Sequence, residues 1–113
     1  MARKLLFLLL LSACSMGPAA DLQYIKQARS LAAEWAMVNE QASQGKLTDI
    51  YVANMHRWLR QQLETSSASL TQPDSPYGRE IQALLATPDD APAEELRQHS
   101  EMLKQVEDQL EST

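Results

Sequence analysis

Residues 21–43 read DLQYIKQARSLAAEWAMVNEQAS, and this stretch decides the fold. Tyr24, Ala28, Leu31, Trp35, Val38 and Ala42 recur at alternating spacings of four and three. That rhythm lines them up on one stripe of an α-helix. Asp21 suits the N-cap, where its side chain can accept from free backbone N–H groups, and Gly45 suits the C-terminal stop. The expectation is one amphipathic helix of about six turns.

On the N-terminal side, residues 15–20 (SMGPAA) contain Gly17 and Pro18 and read as a short tether that does not continue the helix. On the C-terminal side a second helix opens at Thr48, whose hydroxyl can cap it. Asp49 lies in its first turn, at the positive end of the dipole, and Leu47 can staple onto Val52. Val52, Met55, Leu59 and Leu63 form its apolar stripe, with Ile50, Tyr51 and Trp58 widening it. The Ser/Thr-rich run at 65–69 should fray this helix, and Arg60 should pair with Glu64 across one exposed turn.

Residues 71–78 (TQPDSPYG) are a loop by composition. A short helix from Arg79 to Ala86 follows, offering Ile81, Leu84 and Leu85, and TPDD at 87–90 ends it. The last helix is expected over 91–111, with Pro92 in its first turn and Glu94 and Glu95 at the favourable end. Leu96, His99, Leu103, Val106 and Leu110 repeat at three and four, the narrow seam of a coiled coil. The sequence therefore predicts an all-α domain over 21–113, a small antiparallel three-helix bundle with an extra short helix. The competing architecture is an extended hairpin that completes its core as a dimer.

Composition agrees. Of 113 residues 44% are hydrophobic but only 5% aromatic, β-branched residues are scarce, and three glycines are too few for the turns of an all-β chain. Ten basic residues face fifteen acidic ones. The basic members of 74–113 are Arg79, Arg97 and Lys104, against ten acids. So acidic a region should be repelled by nucleic acid and by anionic head groups.

The first residues carry a separate message. Arg3 and Lys4 precede an apolar run from Leu5 to Leu11, and Ser12 and Ala13 are small: the plan of an export signal over 1–13. Seven apolar residues span about 10 Å as a helix, against the roughly 20 residues that cross a bilayer. Leu11-Ser12-Ala13-Cys14 resembles the lipobox of bacterial lipoproteins. The resemblance implies that the Cys14 thiol takes a diacylglyceryl group, that cleavage follows Ala13, and that the freed amine is acylated. Two or three buried chains give stable anchoring. Residues 14–20 would then be the lipidated cysteine and tether, and removal of 1–13 leaves a net charge of −7. As the chain's only cysteine, Cys14 has no partner for an internal disulfide. Ser15 after the cysteine, where Asp would retain an enterobacterial lipoprotein, implies the periplasmic face of the outer membrane. The murein lipoprotein is also small and helical, but the terminal Glu-Ser-Thr here has no counterpart to its basic end.

Side chains able to carry chemistry are few. No glycine-flanked nucleophile or phosphate-binding glycine loop occurs, the acids of the last helix read as a solvated face, and neither an enzyme nor a cofactor is expected. A periplasmic metal site built from His56, His99 and the methionines Met37, Met55 and Met102 is the alternative function, since imidazole and thioether suit Cu(I). Packing accounts better for Met55 and Met37, and His99 reads as a tolerated polar seam residue. Trp35 and Trp58 are expected as core anchors. The functional alternative makes Trp58, with Arg57 and Arg60, an exposed basic-aromatic patch that contacts a partner. The expected function is a non-enzymatic helical interaction or structural module, bound to the membrane by its lipid and to an envelope protein or a second copy by its surface.

Overall fold

The computed structural model of the protein describes residues 17–112. Residues 1–16, which include the expected export signal, Cys14 and Ser15, lie outside the described residues. Four helices follow one another: α1 (Pro18–Ser43), α2 (Asp49–Ser69), α3 (Pro76–Leu85) and α4 (Ala93–Glu111). They form an all-α bundle in which α1 is central, packing most extensively on α4 and next on α2, while α3 wedges between α2 and α4. The ion pairs Arg97–Glu40 and Lys26–Glu111 (3.1 Å) set α4 antiparallel to α1.

α1 begins three residues earlier than its sequence suggests. Gly17 adopts φ 99°, a conformation that favours glycine, and Pro18 at the first helical position needs no N–H partner. The Ala20 and Asp21 amides bond the Gly17 carbonyl at 3.1 and 3.2 Å. Asp21 is therefore not the cap: it sits inside the first turn, fully buried. The far end behaves as expected. Lys46 N–H reaches the Gln41 carbonyl and Gly45 N–H the Ala42 carbonyl, both at 3.0 Å, with Gly45 at φ 70°. This closes the helix as a Schellman motif.

Thr48 caps α2 by accepting from the Tyr51 amide at 3.2 Å. The Ser/Thr run does not fray it. Thr65 and Ser69 return their hydroxyls to the carbonyls of Gln61 and Thr65 at 3.0 and 2.8 Å, and Ser67 accepts from Gln82 of α3 at 2.6 Å. Ser67 thereby ties α2 to α3, while the hydroxyl of Ser66, sealed from solvent, has no hydrogen-bond partner among the described residues. α3 starts at Pro76, not Arg79, because Ser75 caps it through the Gly78 amide at 3.2 Å. A Cβ on Gly78 would collide with the Pro73 carbonyl, so the tight entry to α3 depends on that glycine. α4 starts two residues later than expected, with Pro92 as its N-cap.

The core runs along α1. Ile25, Trp35, Leu59, Leu63, Leu84 and Leu103 are sealed from solvent. Each fully buried aliphatic side chain contributes about 1.5–3 kcal/mol. Of the seam expected on α4, Leu96 and Leu103 are buried, whereas His99, Val106 and Leu110 are half-buried. Among the described residues no helix is long and apolar enough to cross a membrane.

Candidate functional site

The two tryptophans part company. Trp35 is completely buried and donates its Nε1–H to the Asp89 carbonyl at 2.9 Å. Trp58 is 45% exposed, and its neighbours on the outward face of α2, Tyr51 and Ile50, are 48% and 77% exposed. The core-anchor expectation therefore holds for Trp35 and fails for Trp58. Trp58 directly precedes Leu59, which is sealed against the core, and one residue of helix turns it about 100° away. Widening the stripe by Ile50, Tyr51 and Trp58 asked one helix to bury more of its circumference than its neighbours cover.

Tyr51 and Trp58 stand two turns apart, with the exposed amides of Asn54 and Gln61 following each by three residues. Among the described residues, the Asn54, Arg57, Trp58 and Gln61 side chains make no hydrogen bond or ion pair. The stripe is exposed, aromatic and uncharged at its centre, with Arg57 at its flank.

Arg60 does not belong to this surface. Its Nε bonds Asp89 Oδ1 at 2.5 Å, Nη1 the Leu85 carbonyl at 2.8 Å and Nη2 the Thr87 carbonyl at 2.5 Å. The guanidinium carbon lies 5.0 Å from the Trp35 ring centroid. The expected pair with Glu64 is not formed, because the open carbonyls at the end of α3 offer a fixed multidentate site. Arg60 thus locks the α3–α4 connector onto α1 and α2.

His56 and His99 are not brought together. His56 Nε2 lies 2.7 Å from Asn39 Oδ1, and the Asn39 amide nitrogen already donates to the carbonyls of Asp89 and Ala91 at 2.9 and 2.8 Å. Asn39 Oδ1 can only accept, so the proton of His56 belongs on Nε2. His99 Nδ1 lies 2.6 Å from Glu80 Oε1, linking α4 to α3. Met55 packs against the core, whereas Met37 and Met102 are over half exposed, so packing does not account for Met37. Among the described residues no three His, Cys, Asp or Glu side chains assemble in a form that could hold a metal ion.

A second polar cluster, invisible in the sequence, closes the end of the bundle where α1 begins. The buried Asp21 carboxylate accepts from the Thr71 amide (2.8 Å), the Gln72 amide (3.1 Å) and the Tyr77 hydroxyl (2.6 Å). Burial pushes its carboxyl up, but these hydrogen bonds outweigh burial and hold it below the usual value. Burial and the Asp21 partner push the Tyr77 hydroxyl up to about 12. The Gly17 amide adds a bond to Thr71 Oγ1 at 3.0 Å. Residues 17–20, read as tether, are therefore part of the folded domain.

No known protein family, curated protein or solved structure matches this chain.

Proposed function

We propose that this chain is a lipid-anchored envelope lipoprotein that acts by contact, without catalysis, through the outward face of α2. The observation that carries the reading is Trp58, with Tyr51 and Ile50, standing exposed on a bundle whose core is already filled. A large aromatic side chain left half in water where the interior is complete is a candidate for a partner's surface.

The anchor supports this reading through chain arithmetic. Only Ser15 and Met16 separate Cys14 from Gly17, a reach of about 10 Å at full extension. A lipid on Cys14 would hold the start of α1 close to the membrane. Helix α1, 26 residues and about 39 Å long, puts the α1–α2 turn that far from its start. Ile50 and Tyr51 sit near that distal turn, and Trp58 lies two turns back toward the anchor. By the residue after the cysteine, Ser15, the membrane is the outer one, seen from the periplasm.

Two measurements test the reading. Cys14→Ser should abolish labelling by a fatty-acid probe and release the protein from the membrane fraction. A photo-crosslinking side chain at position 58 should give a discrete adduct in cells, with an envelope protein, a second copy or another envelope component, and the same group at Ser30 should not. Labelling that survives Cys14→Ser removes the anchor. Adducts that are equal at both positions, or absent at 58, remove the contact face.

A further inference from the structure

The outward face of α2 repeats itself. Tyr51 with Asn54, and Trp58 with Gln61, are two aromatic–amide pairs displaced by seven residues, and all four side chains are exposed. Two helical turns displace the second pair by about 10.5 Å along the axis and turn it by only about 20°. We propose that this stripe binds an extended β-1,4-linked amino-sugar glycan bearing carboxylates, with Tyr51 and Trp58 each supporting one pyranose ring. The proposal rests on the lipoprotein reading above, which places the face in the periplasm beside the cell wall.

The chemistry of each position fits. The axial C–H groups of an equatorially linked sugar make an apolar patch that lies on an aromatic face, and a β-1,4 disaccharide repeats over much the same distance as two turns of helix. Asn54 and Gln61 each offer an amide with two donors and an acceptor, suited to hydroxyl and N-acetyl groups. Neither amide has an intramolecular bond among the described residues. Arg57 flanks Trp58, is exposed and lacks an ion-pair partner there. It can meet a lactyl or stem-peptide carboxylate. No carboxylate lies on the stripe itself; the exposed Glu64 shares Arg57's flank, two turns farther along α2.

A protein partner fits the same face less well. Covering Ile50, Tyr51 and Trp58 would hide on the order of 300 Å², since the aromatics are already half-buried and a whole aromatic side chain buries 150–250 Å². Stable protein interfaces need about 800 Å² from each side. As a coiled-coil seam the stripe would place Asn54, Gln61 and Thr65 at inward positions, which a partner helix would have to bury. A single polymer chain needs neither the area nor a dry seam. A convex helix binds each repeat weakly, and the anchor compensates by holding the face at high effective concentration beside the wall.

The test uses the full chain in non-ionic detergent, sedimented with peptidoglycan sacculi stripped of bound protein and, separately, with chitin, which has the same linkage but no carboxylates. The wild-type protein should pellet with both. Tyr51→Ala and Trp58→Ala should each weaken binding by roughly tenfold. Arg57→Gln should weaken binding to sacculi by a few-fold and leave chitin unchanged. An unaltered helical CD spectrum and melting temperature in each variant ties the loss to the face. Wild-type protein that stays in solution with both polymers overturns the inference, as does an undiminished Tyr51→Ala/Trp58→Ala double variant. Binding to sacculi without binding to chitin also overturns it, because recognition would then lie in the peptides. A position-58 adduct with a protein or a second copy overturns the glycan while leaving the contact-module reading intact.

Discussion

Arg57 and Trp58 face outward on α2 while Leu59 and Arg60, the next two residues, face inward, and the contrast shows how little residue type decides. Arg60 makes three hydrogen bonds and lies over the Trp35 ring, whereas Arg57 makes none among the described residues. The difference is angular. Position 60 faces the end of α3, where the last carbonyls lack helical partners, so a guanidinium there acts as a C-terminal cap supplied from another helix. Trp35 has the corresponding advantage over Trp58: its ring fills the core and its one polar atom reaches the Asp89 carbonyl. Inward, both residue types are structural. Outward, both are free to meet a partner.

Breaking the inner face should cost most. Trp35→Ala removes a sealed aromatic together with the surface on which Arg60 rests, and should destabilise the fold by about 3–5 kcal/mol in chemical denaturation. A cost below about 1 kcal/mol would mean that the two tryptophans are not distinguished as described. Asp21→Ala comes next. It strands the Thr71 and Gln72 amides and leaves the Tyr77 hydroxyl only its longer bond to Gln72 Oε1 at 3.2 Å, a loss of about 2–3 kcal/mol. The same carboxylate sets a pH dependence. Its folded value is depressed, so its stabilisation is present above the unfolded value of about 4 and is lost as pH falls through the folded value. Thermal melts should show Asp21→Asn flattening this acid limb. Tyr77 works in the opposite sense: its value is raised to about 12, so its stabilisation is present below the unfolded value of about 10 and lost between there and 12. Tyr77→Phe should flatten that alkaline limb. Arg60→Met keeps much of the stem packing and removes the bonds to Leu85, Thr87 and Asp89, for about 1–2 kcal/mol.

Periodicity made the helices legible, and local rules made their caps legible where cap and helix are neighbours in sequence. Thr48 and Gly45 are such cases. What stayed hidden was set at long range. Asp21 looks like an N-cap because the sequence does not reveal that Thr71, Gln72 and Tyr77 close over it, fifty or more residues away. The Ser/Thr run at 65–69 looks like a frayed end because nothing local says that α3 packs there. Arg60 looks like half of a surface pair for the same reason. Trp58 was the most informative ambiguity. Helical angle places it beside the buried arc, and only the positions of α1 and α3 decide whether that arc is wide enough to include it.

The smallest expected effect on stability is therefore the most discriminating. Trp58→Ala removes the larger of the two aromatic side chains on the outer stripe, yet it opens no cavity, because the ring is half in water and Leu59 seals the core beneath the helix. Alanine also favours helix at least as well as tryptophan. The melting temperature should shift by no more than about 0.5 kcal/mol of stability would move it, and Arg57→Gln should behave alike. If Trp58→Ala instead costs 2 kcal/mol or more, as loss of a packed side chain does, the ring is part of the core and α2 has no free face. If stability is unchanged while binding to the chosen partner is lost, the residue is retained for contact. Those two outcomes cannot both come from one side chain in one place, so a melt and a sedimentation assay on the same variant decide between them.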